Sequence, residues 1–294
     1  MIRETEALRP LQWPARLAGY AFIFVACVGI TLNIAKPFMI DFISYWAAAV
    51  LALDGNALGA WNIDVHQAVQ AKVVSFEGLM PFPYPPPFLA LLLPFGFLSF
   101  PVASGLWIAL TFVAYAVAGR HFAPRAGWLL AAFPPVIINA IIGQNGLLTA
   151  AIFMGGLALM QKRPFLAGAL LGCLIIKPHL GILLPFVFVA GGQWRAFAGA
   201  TASTLCLLLA GLLAFGPGSY VAWIEQAPLY ASIVAEGLVA WHKMAWLYAA
   251  LSLAGLPAAA AWTVHLVFAG FPAVAACVLW RRTPDPAARG AVLA

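Results

Sequence analysis

Apolar runs long enough to cross or enter a membrane recur along the whole chain, and they constrain its fold more than any other feature. They lie near residues 17–35, 88–119, 126–142, 146–160, 164–190, 196–215, 244–255 and 258–280. Only 8% of the residues are charged, whereas soluble domains carry about 25%. A surface with so few charges cannot be exposed to water throughout, so much of it must face lipid. The sequence therefore predicts an all-α, polytopic transmembrane protein with a single domain over residues 1–294.

The positive charges indicate how these runs are oriented. The net charge is +6, but the basic residues are scattered at the ends of apolar runs. This distribution argues against a nucleic-acid partner and favours a topology signal, because such residues accumulate on the cytoplasmic side of a membrane. We expect a multi-pass protein of a bacterial-type plasma (inner) membrane, in contact with membrane lipids and with both termini cytoplasmic.

Two of the apolar runs are predicted to turn back within the membrane. The run 164–190 has basic residues at both of its ends. A single crossing would leave one of these clusters outside, whereas a turn at Lys177-Pro178-His179 keeps both inside. The same argument predicts a turn at Gly143-Gln144-Asn145 within the run 126–160. Each arm of the run 164–190 is then about a dozen residues, or about 18 Å, long and spans only part of a hydrocarbon core of about 30 Å.

Two long segments connect the remaining runs. The first, about 36–87, is amphipathic, and the second is about 216–243; both are expected on the outer side. Broken helices inside a membrane are tolerated only where they are buried in protein or line a wet cavity. We therefore expect short and broken helices around a cavity that opens to the outer side and is covered by these two segments.

Asp41 is the first candidate functional residue. It lies in the apolar stretch FMIDFISYW and is one of only nine acidic residues, none of which falls between Glu77 and Glu225. Helical spacing puts Ser44 and Tyr45 on its face. The alternative is a helix N-cap, in which the carboxylate accepts backbone N–H bonds. The two roles are compatible, and the sequence leaves both open.

Lys177 is the second candidate. A lysine at membrane depth is unfavourable by a few kcal/mol unless it has a partner, and no acidic residue lies near it in the sequence. Its partner is therefore distant or is a ligand, and an anion at a helix break is the natural choice. His179 is expected to add a donor. A lysine that extends to the outer interface is the alternative.

Other polar and aromatic residues lie at the predicted breaks. Gln144 and Asn145 are expected either to bind hydroxyl groups or to satisfy backbone groups freed by the break. Tyr84 begins the stiff run Tyr84-Pro85-Pro86-Pro87 and is expected to border the cavity. His66 and His242 lack the spacing of metal ligands, so no metal site is expected.

Four motifs occur in a fixed order over about residues 36–200. They are Asp41 after the first apolar run, Tyr84-Pro85-Pro86, Gly143-Gln144-Asn145, and Gly168-xxx-Gly172-xxxx-Lys177-Pro178. As an ordered set they resemble the DUF2029 group, glycosyltransferase family 87, one of the C-type (GT-C) membrane glycosyltransferases.

The resemblance implies an enzyme that takes a hexose, often mannose, from a polyprenyl-phosphate carrier. It would transfer the sugar, with inversion and without a metal or other cofactor, to a lipid-linked or glycan acceptor on the outer side. Asp41 would be the general base, and by the depth argument Lys177 and His179 would bind the donor phosphate. The residues expected to contact substrate are Tyr45, Tyr84, Gln144, Asn145 and His242. Proteins of this kind usually continue through several more membrane helices, so we expect further C-terminal helices to be missing after Ala294.

Two other functions remain open at this point. Broken helices with charged groups at depth also suit a transporter or flippase of a lipid-linked or small polar substrate. Against transport, no acid–base pair and no convincing inverted repeat is found in the central region. A non-catalytic partner subunit is the third reading.

Overall fold

The fold is known from a computed structural model. The residues that it describes are Leu17, Tyr20, 40–74, 80–124, 126, 128–236, 246–283, 285 and 288–289. Throughout these ranges the chain forms helices and connecting turns, without a β-strand. The predicted first membrane helix, 17–35, lies almost wholly outside them.

The described helices follow the apolar runs of the sequence. The first part of the chain forms α1 (Ile40–Leu53), α2 (Ile63–Gln70), α3 (Pro86–Gly96), α4 (Phe100–Phe122), α5 (Trp128–Ala132), α6 (Pro134–Ile142) and α7 (Gly146–Leu159). The second part forms α8 (Pro164–Gly172), α9 (Pro178–Gly181), α10 (Leu184–Ala190), α11 (Trp194–Phe215), α12 (Pro217–Glu225), α13 (Ala227–Ala235), α14 (Leu247–Leu253) and α15 (Ala258–Arg282). Short 3₁₀ turns cover Ala57–Trp61 and Cys173–Ile176.

Three of these helices, α4, α11 and α15, are long and apolar enough to cross a membrane. Five shorter apolar helical segments lie around them, including both arms of the run 164–190. Their outward faces carry large apolar side chains; for example, Leu213 of α11 and Phe271 of α15 are 78% and 71% exposed. The prediction of an all-α membrane protein with short and broken helices is confirmed.

The run 164–190 has the predicted turn at Lys177. Helix α8 packs tightly along α11, because Gly168 and Gly172 let the two backbones approach. After the turn the chain returns, so that Phe188 of α10 lines the same cavity as Leu171 of α8 and Phe197 of α11. Both arms of the hairpin therefore lie against one helix, with Lys177 at the tip.

The second predicted break, at residues 143–145, separates α6 from α7. Trp107 of α4 donates a hydrogen bond from Nε1 to the carbonyl oxygen of Gly143 (3.2 Å). Further along both helices, a Cβ atom at Gly119 would lie 3.6 Å from Met154. Helices α4 and α7 therefore run side by side in the same direction, and α5 and α6 return the chain between them.

An aromatic cluster fixes α1 beside these breaks. The ring of Tyr45 lies 5.1 Å from that of Phe88, 5.2 Å from that of Tyr84 and 5.8 Å from that of Trp107. Edge-to-face ring pairs of this kind are favourable beyond the apolar area that they bury, by about 0.5–1.5 kcal/mol each. The start of α1, which carries Asp41, is thereby held against α3, α4 and the break at 143–145.

Candidate functional site

Asp41 lies in the first turn of α1, and its carboxylate faces the break between α6 and α7. Its Oδ2 atom accepts a hydrogen bond from Gln144 Nε2, at 2.6 Å. Among the described residues no backbone N–H donates to the Asp41 side chain. Its structural partner is therefore a side chain 103 positions away rather than its own helix terminus.

Gln144 is held in one orientation by the donors around its amide oxygen. Oε1 accepts from the backbone N–H of Asn145 at 2.9 Å, and the hydroxyl oxygens of Tyr45 and Tyr84 both lie within hydrogen-bond distance of it, that of Tyr84 at 3.2 Å. The two phenols also bond to one another at 2.8 Å, so one phenol donates its single hydrogen to the other, which in turn donates to Gln144 Oε1. Since the Asn145 N–H and at least one of the two phenols donate to the oxygen, the amide nitrogen has to point toward Asp41.

The break itself leaves few backbone groups without a partner. Gly143 ends α6 with φ of +73°, a conformation that glycine adopts without strain. The Gln144 N–H donates to Asn139 O at 3.1 Å. The Asn139 side chain, in the orientation that satisfies both of its ends, donates to Gln144 O and accepts from Gly146 N. Such satisfaction is what makes an interruption tolerable at membrane depth.

Asn145 connects this network to the second break. Its side chain is fully buried, and its Oδ1 atom accepts a hydrogen bond from Lys177 Nζ at 3.1 Å. An ammonium group has three donors, and Asn145 is the one acceptor for them within the described part of the chain. The two breaks therefore meet, and a continuous path runs from Asp41 through Gln144 and Asn145 to Lys177.

Asp41 and Lys177 carry opposite charges, and each favours the charged form of the other. Asp41 belongs to the 36–87 segment and lies outside the three membrane-length helices. Burial raises the pKa of this carboxyl, while the Gln144 hydrogen bond and the positive charge of Lys177 work in the opposite direction. The result is a carboxyl group with a pKa above the usual value, which makes its ionised form a better proton acceptor.

The remaining predicted residues differ in how closely they are associated with this path. His179 follows Lys177 by two positions, but its side chain is exposed and forms no hydrogen bond with the described residues. Tyr45 and Tyr84 are buried, with 1% and 8% exposure, and their hydroxyls serve the Gln144 amide. His242 lies outside the described residues.

Residues of the 216–243 segment contact an extended strip of chain at residues 80–85, which lies next to Gln144 through Tyr84. Five consecutive carbonyl oxygens, from Met80 to Tyr84, each accept a hydrogen bond from a different side chain, at 2.8–3.3 Å. The donors, in order along the strip, are Gln70, Ser44, Tyr230, Trp223 and Trp61. Two of them come from α12 and α13, so both long segments hold the strip from which Tyr84 reaches Gln144.

His66 is a buried histidine with a structural role. Its Nε2 atom donates to Ser44 O and its Nδ1 atom accepts from Gln70 Nε2, both at 2.9 Å. Burial lowers its pKa to about 4. It therefore joins α2 to α1 as a neutral side chain. Within the described ranges no group of three or more His, Cys, Asp or Glu side chains is arranged to hold a metal ion.

Sequence reasoning identified the members of the charged path but missed the donors that surround it. Trp107, Trp61 and Tyr230 were not expected to contribute to the site. Nothing in their local sequence marks them, because each acts on a carbonyl group 23–148 positions away.

Comparison with known proteins gives one match. The model of glycosyltransferase family 87 matches residues 82–294, which is more than half of the chain. The matched range contains Tyr84, Gln144, Asn145 and Lys177, whereas Asp41 precedes it. No curated protein and no solved structure matches the chain. Because the family match extends over most of its length, this membrane protein belongs to glycosyltransferase family 87.

Proposed function

We propose that the protein transfers a hexose from a polyprenyl-phosphate carrier to a lipid-linked or glycan acceptor, with Asp41 as the general base. The observation that carries this proposal is the hydrogen-bonded path that connects the Asp41 carboxylate to the Lys177 ammonium. One end of this path suits an acceptor hydroxyl and the other suits a phosphate. The mannose-like identity of the hexose and the reaction on the outer side of the membrane come from the family resemblance.

At the carboxylate end, Asp41 would take the proton of the acceptor hydroxyl as the hydroxyl oxygen attacks the anomeric carbon. The new glycosidic C–O bond forms on one face of the sugar while the bond to the phosphate oxygen breaks on the other, which inverts the anomeric centre. A positioned base of this kind contributes about 10²–10⁴-fold to the rate. The raised pKa of Asp41 suits this role.

At the other end, the leaving group is a polyprenyl phosphate, and it needs stabilisation of negative charge more than it needs a proton. Lys177 has one described acceptor, so two of its N–H groups are left for phosphate oxygens. A fixed positive charge in a site with little water stabilises developing negative charge strongly. His179, which is exposed on the same turn, would add a donor on the side of the phosphate.

An apolar cavity beside Lys177 supports a donor with a lipid chain. The cavity has a volume of about 290 Å³ and lies between the two arms of the hairpin and α11. Pro178, the residue after Lys177, is part of its wall. Ile182 and Leu205 also line it and are 64% and 60% exposed, so the cavity borders the lipid-facing surface. A prenyl chain in this cavity would have its phosphate next to the ammonium group.

The proposal is tested by the transfer of radiolabelled mannose from polyprenyl-phosphate-mannose to membrane lipids and glycans. Asp41→Asn keeps an oxygen that accepts from Gln144 but removes the base, so we expect transfer to fall by about 10²-fold or more. Asp64→Asn, in the same segment and exposed, is the matched control. Full activity of Asp41→Asn would remove Asp41 from the base role.

A second variant tests the phosphate site. Lys177→Met should raise the KM for the donor while the protein still folds, because a methionine fits the volume without the buried charge. Lys72→Met, which changes an exposed lysine, should leave KM unaltered. An unchanged donor KM in Lys177→Met would contradict the assignment.

A further inference from the structure

Gln144 has no free amide oxygen with which to bind a sugar. Its Oε1 atom already accepts from the hydrogen-bonded phenol pair of Tyr45 and Tyr84 and from one backbone N–H, and its Nε2 atom donates one of its two hydrogens to Asp41. Its side chain therefore interacts with the protein's own groups. We infer that Gln144 is a positioning residue, which binds Oδ2 of Asp41 and leaves Oδ1 directed to the acceptor hydroxyl. The inference rests on the proposed role of Asp41 as base.

The orientation of the amide follows from buried neighbours that cannot easily exchange roles. Rotation of the amide by half a turn would place its N–H groups against the Asn145 N–H and its oxygen against the Asp41 carboxylate. Both contacts would be repulsive, and the buried donors would lose their acceptor. The phenol rings cannot withdraw, because Tyr45 and Tyr84 are packed in the aromatic cluster of α1 and α3. The amide donor is thus fixed before any substrate arrives.

The Asp41 carboxylate is bound on one side only. Among the described residues Gln144 alone donates to it, through Oδ2, and the side chain is half-buried. The charged or titratable groups that face it are Lys177, Tyr45 and Tyr84. A carboxylate held by one oxygen keeps the other free to accept a proton in a defined direction.

The same amide also sets the position of the cation. Gln144 Oε1 holds the backbone N–H of Asn145, and the side chain of Asn145 holds Lys177 Nζ. A change at Gln144 therefore affects the carboxylate directly and the ammonium through one further residue. A single side chain fixes the separation between the two charges that would bracket a sugar phosphate.

The first test is the pH dependence of transfer in Gln144→Met. Loss of the donor removes an interaction that favours the ionised carboxylate, so the acid-side midpoint of the kcat profile should move to higher pH. At neutral pH kcat should fall about 10-fold, a part of the contribution of the base, and the KM for the donor should rise by a smaller factor, because Lys177 is affected only through Asn145. The matched control is Gln193→Met, which alters a glutamine that donates to Gly191 O far from this network. A lower kcat without a shift of the midpoint would overturn the inference.

The second test does not depend on transfer. Dicyclohexylcarbodiimide reacts with protonated carboxyl groups in apolar surroundings, and mass spectrometry of the Asp41 peptide then measures labelling against pH. The midpoint of labelling should lie at higher pH in Gln144→Met than in the parent. Gln144→Glu retains an oxygen for the phenols and adds a like charge, so its midpoint should move in the same direction even if Gln144→Met folds poorly.

The outcomes separate this inference from the proposed function. If the parent protein transfers no sugar but the labelling midpoint is shifted in Gln144→Met, the proposed reaction is refuted and the positioning role remains intact. An unshifted labelling midpoint in Gln144→Met, when the parent protein does transfer sugar, would refute the positioning role alone.

Discussion

The substitution Gly168→Ala tests the helix packing that carries Lys177. A Cβ atom at Gly168 would lie 1.8 Å from the carbonyl oxygen of Ala196. Contacts between carbon and a carbonyl oxygen begin at about 3.3 Å, so α8 and α11 would have to separate by about 1.5 Å. The clash is with a backbone atom, which cannot rotate out of the way.

The expected loss of stability has three parts. Overpacking of this kind costs about 1–3 kcal/mol, and we expect the upper end because both partners are backbone-fixed. The separation also weakens the hydrogen bond from Thr204 Oγ1 to Gly172 O (3.1 Å), which contributes about 1 kcal/mol. Alanine regains about 1 kcal/mol through its higher helix propensity. The net result is a free energy of unfolding lower by about 2–3 kcal/mol.

Equilibrium unfolding with sodium dodecyl sulfate in mixed micelles, followed by tryptophan fluorescence, measures this difference. Gly270→Ala is the matched control, because it lies within α15 and has no heavy atom near the new Cβ. It should be as stable as the parent or slightly more stable. Transfer activity should fall in Gly168→Ala alone, by about 10²-fold, because a displacement of about 1 Å at Lys177 is enough to misalign reacting groups.

One result would refute this reasoning. If Gly168→Ala unfolds within about 0.5 kcal/mol of Gly270→Ala, a spread expected for substitutions that touch nothing, the two helices do not approach as closely as described. Lower stability with undiminished transfer would show instead that the packing of α8 does not position Lys177.

Two further predictions concern the long segments. The His66 pKa is about 4 in the folded protein against 6.5 in a model peptide. On acidification, His66 is therefore protonated in the unfolded chain at a higher pH than in the folded protein. The contribution of His66 to the free energy of unfolding should therefore be fully present above about pH 6.5 and should fall by about 3 kcal/mol as the pH falls to about 4. Unfolding curves of His66→Asn that show the same decline would contradict this. Tyr230→Phe removes the donor to Phe82 O and should lower the free energy of unfolding by about 1 kcal/mol. Proteolysis within residues 216–243 should become faster. Unchanged proteolysis would show that this hydrogen bond does not hold the segment in place.

The positions of the two helix breaks were predictable from the sequence. Basic residues at both ends of the run 164–190 predict a turn within it, and Lys177-Pro178 is a place where a helix is not expected to continue. The glycine at 143 similarly marks the end of α6. Apolar runs, helix-breaking residues and basic residues are local features of the chain, so they can be recognised in a single sequence.

The connections within the site were not predictable in the same way. Gln144 was expected to bind substrate or to satisfy freed backbone groups, and the structure shows that its oxygen does the second for Asn145 N. Its bond to Asp41 depends on how α1 packs against α6 and α7. That packing is decided by ring contacts among Tyr45, Phe88 and Trp107, whose geometry leaves no periodic signal.

The strip at residues 80–85 has a thermodynamic consequence. Prolines at 81, 83 and 85 restrict the backbone before any contact is made, so little chain freedom is lost when aromatic donors settle on the carbonyl groups. In this respect the strip behaves as a proline-rich ligand that the protein carries within itself. The contacts of α12 and α13 with the strip are therefore expected to depend mainly on the ordering of the Trp223 and Tyr230 side chains.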